Sequence, residues 1–246
     1  MARKLRYDWL LFMASFALVA LSVVMVYSAS SIVAAQRFDD PYYFAAKQIA
    51  FVLAGCLVLA VQADLVQTSQ LGSLIDTVTA HAGRLDILIN NASSFYPTPL
   101  ASLNEQQWTD LIGTNLKAPL FLAQAALPHL KATRGVIVNI VDIHAVRPLK
   151  DHTAYGAAKA GLAFLTRALA RDLAPDIRVN GVAPGAILWP DGGVTDSMRD
   201  TILRQIPLKR VGEPSDIATC VLYLVRDASY VTGQIIAVDG GRSAGW

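Results

Sequence analysis

The sequence changes character near Val61. Before this residue, an apolar run from Trp9 to Val26 contains only two serines among its nonpolar side chains. A run of this kind is close to the roughly 20 residues that a helix needs to cross a bilayer. After Val61, helical and strand patterns alternate to the C-terminus, as in a parallel sheet with helices on its faces. The sequence therefore predicts two domains, a membrane-type helical segment over residues 1–61 and an α/β domain over residues 62–246.

The flanks of the first apolar run predict its orientation in a membrane. Three basic side chains precede the run: Arg3, Lys4 and Arg6. Positive residues favour the cytoplasmic side, so we expect the N-terminus to stay inside. A second apolar run over residues 49–61 is short for a span, but as one it would return the α/β domain to the cytoplasm, anchored to the inner membrane. The alternative is a signal peptide that is cleaved near residues 27–30.

Residues 1–60 also resemble a known family of membrane proteins. The similarity lies in Asp8-Trp-Leu-Leu, in Val24-Met-Val-Tyr-Ser-Ala-Ser and in Tyr43-Phe with the following Lys47-Gln. These segments look like the start of the cell-division and rod-shape peptidoglycan polymerases, which are polytopic membrane proteins. The family's remaining helices are not part of the sequence, so the resemblance implies a chimera without polymerase activity.

Charge and cysteine content exclude several classes of function. The formal net charge of +2 is carried by residues 1–61, because basic and acidic residues balance in the rest of the chain. No basic stripe or binding motif stands out, so we expect no nucleic-acid partner. Cys56 and Cys220 are isolated and form no Cys-x-x-Cys pair. We therefore expect neither a metal site nor a disulfide framework.

The α/β domain places polar residues directly after its predicted strands. The pattern predicts strands over 85–89, 135–141, 177–182 and 234–238, and helices over 68–82, 104–130, 153–173 and 214–226. In open parallel sheets, ligands bind outside the carboxyl ends of the strands. The polar groups that follow strands are Asn90-Asn91-Ala92, Asp142 and Pro184-Gly185. They are expected to line one crevice.

Tyr155 and Lys159 are candidates for acid catalysis. They are four residues apart on a predicted helix, so they share one face of it. A phenol has an ordinary pKa of about 10, and a nearby ammonium group lowers it. The pair predicts a tyrosine that exchanges a proton near neutral pH.

Taken in order, these residues resemble the short-chain dehydrogenase/reductase family over nearly all of residues 62–246. The resemblance rests on Asn90-Asn91-Ala92, Asn115, the Tyr155-Gly-Ala-Ala-Lys159 segment and Pro184-Gly185. It implies NADPH as cofactor, a proton relay through Asn115, and contact between Lys159 and the nicotinamide ribose. It further implies that the remaining cofactor contacts come from Asp64, at the adenine, and from Asn91, Ala92, Pro184 and Gly185. Family members are often tetramers, so the resemblance also implies a homo-tetramer.

Two departures from the wider family are similar to its pteridine reductase branch. Asp142 stands thirteen residues before the tyrosine, where most members have serine, and Ser93-Ser-Phe95-Tyr-Pro-Thr-Pro-Leu follows Asn-Asn-Ala. The match implies that Ser93 contacts both cofactor and substrate, and that Phe95 stacks on a pterin. The implied reaction is hydride transfer from NADPH to a dihydropteridine, with Tyr155 as proton donor. Asp142 would either hold Tyr155 and its proton in place or be protonated itself beside the pterin.

The family's Gly-rich turn, Thr-Gly-x-x-x-Gly-x-Gly, is missing. Gly55 is the only glycine in residues 1–61, so no turn of this spacing precedes the α/β pattern. Such a turn leads into a helix N-terminus that binds the pyrophosphate. We therefore expect a truncated Rossmann-like, doubly wound parallel sheet, preceded by one or two apolar helices, with impaired catalysis. The alternatives are a membrane fragment with a passive passenger domain and a non-functional gene fusion.

Overall fold

Four parallel strands form the centre of the α/β unit. The computed structural model describes residues 59–188 and 195–245, and the described residues from Gln62 onward belong to one compact unit. The strands lie in the order β1-β2-β3-β4, with every neighbouring pair parallel. Their bounds are Ile87–Asn90, Val136–Ile140, Arg178–Pro184 and Ile235–Val238. All four carboxyl ends therefore lie at one edge of the sheet.

Within the described residues, six α-helices connect and cover these strands. They are α1 Leu71–Ala82, α2 Glu105–Ile112, α3 Ala118–Thr133, α4 Thr153–Asp172, α5 Asp196–Gln205 and α6 Pro214–Arg226. A π-helical turn, Gly113–Lys117, joins α2 to α3. Helix α2 begins at a capping box, in which Asn104 Oδ1 accepts from Gln107 N and Gln107 Oε1 accepts from Asn104 N. These two bonds satisfy backbone donors that the first turn leaves free.

Apolar side chains are buried on both faces of the sheet. Ile137 and Val179 belong to a core shared with α1, α3 and α4. Val138 and Val182 belong to a second core, with Leu224 of α6. A parallel sheet with helices on both faces buries its strands in this way. The predicted α/β, Rossmann-like class is confirmed.

Two helices differ from the sequence prediction. The single helix predicted over 104–130 was expected to end near Pro128, yet α3 continues to Thr133. Proline removes one backbone hydrogen bond, but Leu130 beyond it is fully buried in the core, and this packing favours continuation. Helix α5 was not predicted; its start is marked by Thr195, whose Oγ1 accepts from Met198 N.

The segment around Asp64 is not a strand. Asp64 instead begins a turn, in which its Oδ1 accepts from Val66 N at 3.0 Å and its carbonyl accepts from Gln67 N. Residues 61–65 resemble the third strand of the short-chain reductase family, so the resemblance implied a strand here. Because β1 is the edge of the sheet within the described residues, no strand lies beside Asp64 to supply the ladder hydrogen bonds.

The surface of β1 next to α6 is open and apolar. Ile87 and Ile89 are 41% and 45% exposed. They line a groove of about 750 Å³ together with Val221, Leu222 and Val225. Parallel strands are normally covered on both faces. No described residue covers Ile87 and Ile89. A sheet that lacks its first strands, as the sequence predicted, would leave these two side chains exposed in this way.

The predicted membrane spans fall almost wholly outside the described residues. Among the helices of residues 59–188 and 195–245, none is both long and apolar enough to cross a membrane. The runs over residues 9–26 and 49–58 are not described. The membrane association, the inner-membrane location and the homo-tetramer stay predictions.

Candidate active site

A short hydrogen bond joins the predicted proton donor to the aspartate that replaces the family's serine. Asp142 follows β2, and Tyr155 lies in the first turn of α4. The Tyr155 hydroxyl donates to Asp142 Oδ2 at 2.6 Å. Asp142 Oδ1 accepts from His144 N at 2.7 Å, where a 3₁₀ turn begins. Both carboxylate oxygens are therefore held, and the phenol is fixed in one orientation.

The pKa of Tyr155 moves in the opposite direction to the sequence prediction. Burial, followed by the Asp142 carboxylate, raises the pKa of Tyr155, and a hydrogen bond from Ser93 offsets part of the rise. The prediction of a lowered phenol pKa was therefore wrong for this structure. The carboxylate contacts the hydroxyl directly, whereas Lys159 Nζ lies 5.7 Å from the ring centroid. At neutral pH the phenol keeps its proton and can donate it.

Lys159 is a buried ammonium group with unused donors. It is only 2% exposed, and its Nζ donates to Ile140 O at 2.9 Å. Burial lowers the pKa of Lys159 to about 8, while Asp142 partly opposes the shift. An ammonium group has three N–H donors. Since the structure shows one bond, the site has donors left for the hydroxyls of a ribose.

This buried lysine predicts a pH dependence of stability. Between pH 8 and 10.5, the unfolded chain holds a proton on Lys159 that the folded chain has released, so the free energy of unfolding rises with pH. Lys159→Met removes this titration. We expect the wild-type chain to gain about 1–3 kcal/mol relative to the variant across this window. Urea unfolding at pH 7.5 and pH 10 measures the difference, and a constant difference would contradict the buried charge.

Asn115 fastens the loop that follows β1. Its side chain is 1% exposed and lies in the π-helical turn. Asn115 Nδ2 donates to Ser94 O and Leu111 O, and Oδ1 accepts from Ser93 Oγ at 2.6 Å. A π turn inside a helix is often found at functional sites. The structure gives Asn115 a positioning role for Ser93, while the proton relay stays a prediction.

Phe95 forms an aromatic wall beside Tyr155. The two rings meet edge to face, with centroids 4.8 Å apart. On its other side Phe95 stacks on His152, also at 4.8 Å. The side chain remains 51% exposed, so a planar ligand has access to it. Two histidines follow Asp142 in the sequence, but neither ring bonds to it: the His144 ring contacts Arg147 O and the His152 ring contacts Lys150 O.

Asn91 and Ala92 lie at the end of β1, near the turn of Asp64. Both line a cavity of about 60 Å³ together with Leu65, the neighbour of Asp64. Beneath them, Asn90 Nδ2 donates to Asn139 Oδ1 at 2.8 Å. Asn90 Oδ1 is buried and has no hydrogen-bond partner in the described structure. The cavity and the free oxygen mark the place where an incoming polar group would be accommodated.

Pro184 and Gly185 end β3 beside the end of β4. Gly185 N donates to Val238 O at 3.0 Å. A Cβ atom on Gly185 would lie 2.6 Å from Asp239 Cβ, which is too close for any larger residue. Glycine is therefore needed here by the approach of two chain segments. Contact with a nicotinamide stays a prediction.

The sequence analysis did not identify Asp110, which lies on α2 and supports the loop after β1. Tyr96 donates to Asp110 Oδ2 at 2.9 Å, and Ser94 lies 3.3 Å from Oδ1. The signal that could have identified it is an aspartate five residues before Asn115 on the same predicted helix.

Within residues 59–188 and 195–245, no three His, Cys, Asp or Glu side chains meet as a metal site would require.

The site can be compared with known proteins. A sequence model described as "Enoyl-(Acyl carrier protein) reductase", of the short-chain alcohol dehydrogenase type, matches residues 32–243. The chain belongs to the short-chain dehydrogenase/reductase family. The match begins well before Val61, inside the predicted membrane-type segment, where residues 32–58 are not described. As a member of this family, the chain has the fold of an oxidoreductase that uses a nicotinamide cofactor.

Similar family members agree with this assignment. The 3-oxoacyl-[acyl-carrier-protein] reductase FabG of Staphylococcus epidermidis is 39% identical over 186 residues, which cover 74% of this chain and 76% of that protein. FabG of Thermotoga maritima is 36% identical and covers 72% and 74%. The structure of an apo SCOR enzyme from Clostridium thermocellum has a TM-score of 0.68 and 33% identity, covering 76% and 74%.

These similarities limit two of the resemblances seen in the sequence. The two FabG proteins are 3-oxoacyl-[acyl-carrier-protein] reductases, so they give no support to a pteridine specificity. They also give no support to the chimera with a peptidoglycan polymerase. The short-chain reductase assignment is confirmed, and the substrate has to be argued from the site.

Proposed function

We propose that this site reduces a C=N bond of a dihydropteridine with NADPH, and that Tyr155 supplies the proton. The observation that carries the proposal is the bond from Tyr155 to Asp142, with Phe95 packed against the same tyrosine. The cofactor, when bound, supplies the hydride. The chain's own residues hold the phenol and its proton, orient the loop after β1, and offer one aromatic wall.

Tyr155 is held in its neutral form, which is the form that can donate a proton. Burial, and then the Asp142 carboxylate, raise the pKa of Tyr155 and so maintain the phenol. Because a raised pKa also makes the phenol a weaker acid, its transfer of a proton has to rely on position: the bond to Asp142 fixes the hydroxyl beside Phe95.

Phe95 and Asp142 favour a flat, nitrogen-containing substrate. A half-exposed aromatic ring offers stacking to a planar heterocycle. A carboxyl group beside the donor can also hydrogen-bond a ring nitrogen, which a serine does less strongly. A saturated acyl chain would use neither feature.

A second candidate is the reduction of 3-oxoacyl thioesters. The names of similar family members favour it. In that reaction Tyr155 would protonate the oxygen of a ketone, and Phe95 would only border the acyl chain. Assay of both substrate classes on one chain separates the two candidates. The suitable protein is a repaired chain, in which residues 1–60 are replaced by a strand, Gly-rich turn, helix, strand and helix from an intact family member.

The described residues fit one half of the cofactor. Lys159 has free donors for the ribose, and Pro184 and Asn91 line the neighbouring crevice. No Gly-rich turn of the family's spacing precedes α1, α2, α3, α4 or α6, and α5 follows residues 189–194, which are not described. The described residues therefore offer contacts for the nicotinamide and its ribose, but they offer no Gly-rich turn for the pyrophosphate.

We expect the chain as it stands to bind NADPH much more weakly than an intact family member. The reason is the loss of the backbone N–H groups that a Gly-rich turn presents at a helix N-terminus. Calorimetric titration of the full-length chain measures the affinity, with the repaired chain as matched control. Tight binding by the original chain, equal to that of the control, would show that residues 1–61 supply a substitute.

A further inference from the structure

Two arginines meet at the edge of the sheet where the active site lies. Arg147 follows the 3₁₀ turn after β2, and Arg242 follows β4. Since the strands are parallel, both residues lie beyond carboxyl ends at the same edge as Asp142. The Arg147 guanidinium donates to the backbone oxygen of Arg242. Backbone bonds from Arg147 N to Ile143 O and from Arg242 N to Asp239 O hold the two segments.

The two guanidinium groups repel one another within reach of the catalytic aspartate. Burial, and then the charge of Arg147, lower the pKa of Arg242, while Asp142 and Asp239 act in the opposite sense. Arg242 also donates from Nε and Nη2 to Gln205 Oε1 of α5. The pair is thus fixed between α5 and the active site.

Neither nearby carboxylate forms an ion pair with these arginines. Asp142 accepts from His144 N and from Tyr155. Asp239 Oδ1 accepts from Gly241 N at 2.9 Å, and Oδ2 accepts from Ser243 N at 2.6 Å. Arg147 and Arg242 take part in none of the ion pairs among the described residues. Neither guanidinium is closed off by an ion pair, so each keeps N–H donors that an added anion could accept from.

A small cavity adjoins the pair. It has a volume of about 170 Å³, and its lining includes Val146 and Ser243, the neighbours of the two arginines, together with Asp142. A third guanidinium, that of Arg167 on α4, also lies on its wall. The cavity therefore extends from Asp142 to the residues beside Arg147 and Arg242, although neither of these two arginines lines it.

We propose that Arg147 and Arg242 bind an anionic group on the tail of the substrate whose other end reacts at Tyr155. The inference rests on the proposed reductase function, because it assigns a second contact to the same substrate. Guanidinium groups suit carboxylates and phosphates, which they bind through paired N–H donors. Two sources have this chemistry: the glutamyl carboxylates of a folate-type pteridine and the phosphate of a phosphopantetheine thioester.

The test uses the full-length chain and three probes in ligand-observed NMR titrations. p-Aminobenzoylglutamate carries only the carboxylate tail, phosphopantetheine only the phosphate tail, and biopterin only the ring. Arg147→Gln and Arg242→Gln remove one charge each, and glutamine at 147 keeps an amide donor for Arg242 O. Arg171→Gln is the control, since it removes an exposed charge from the last turn of α4.

We expect one anionic probe to bind, and both site variants to weaken it about tenfold, because charge-assisted hydrogen bonds are lost. Biopterin should be unaffected, and Arg171→Gln should behave as wild type. The tail that binds identifies the source of the anion. Added salt should weaken the anionic probe alone.

Failure of this inference and failure of the proposed function give different results. If the variants lower the urea midpoint but leave the affinity of both anionic probes unchanged, the arginines only stabilise the fold and the inference is overturned. Binding of neither anionic probe overturns it as well. If phosphopantetheine binds through the arginines and biopterin does not bind, the anion site stands and the pteridine proposal fails.

Discussion

Tyr155→Phe in the repaired chain is expected to lower the turnover of dihydropteridine by about 10²–10⁴-fold, the usual loss when a positioned acid is removed. Phenylalanine keeps the ring that meets Phe95 edge to face, but it has no hydroxyl to donate to Asp142. Binding of the pterin should therefore change little. Steady-state kinetics of NADPH oxidation give kcat, and a titration of the pterin gives the affinity.

Tyr96→Phe is the matched control for this variant. Tyr96 also donates to a carboxylate, that of Asp110 and not Asp142, although its ring packs in the same cluster as Tyr155. Its loss should change kcat by far less than the loss of Tyr155. If Tyr155→Phe retained turnover within a few fold of the parent, another group would have to supply the proton, and the assignment of the acid would be wrong.

Asp142→Ser is expected to lower dihydropteridine turnover by about 10–100-fold. The variant loses a charge-assisted bond to the phenol, which is worth about 1.5–3 kcal/mol. It also loses the carboxyl group that can assist protonation at the ring. Serine is the usual family residue at this position, so reduction of a 3-oxoacyl thioester should hold steady or improve. The ratio of kcat/KM for the two substrates measures the change in preference.

Asp86→Ser provides the control, because this aspartate pairs with Arg84 at the opposite edge of the sheet. It should leave the substrate ratio unchanged. A repaired chain that reduced 3-oxoacyl thioesters well and dihydropteridines not at all would decide for the second candidate function. Asp142 and Phe95 would then be departures from the family without the role proposed for them.

The sequence predicted which residues come together at the site better than it predicted their pKa shifts. Spacing placed Tyr155 and Lys159 on one helical face, and strand order placed Asp142 at the same edge, as the structure shows. The direction of the Tyr155 pKa was wrong, because a spacing of four residues says nothing about which charge is closest. The carboxylate that dominates comes from a different segment, and only folding brings it within 2.6 Å.

Local sequence signals indicated some helix starts correctly, but they did not indicate the end of α3 or the absence of a strand at Asp64. The starts of α2 and α6 depend on neighbouring residues alone: α2 begins at a capping box, and α6 begins at Pro214. The end of α3 was misjudged at Pro128, because burial of Leu130 by distant strands outweighs the local cost of a proline. The strand expected at Asp64 did not form, since a strand needs a partner that this segment lacks within the described residues.

The sequence by itself determined the alternating α/β class, the strands that carry the site, the absence of a Gly-rich turn from residues 1–61 and the candidates for the catalytic side chains. These follow from periodicity, spacing and residue type, which are properties of neighbouring positions. Only the tertiary structure decided that Tyr155 is held as a neutral donor and that Lys159 is buried with free N–H groups. The meeting of Arg147 with Arg242 was decided there too. Each of these depends on distances between groups far apart in the chain, and on burial, which only the packed fold creates.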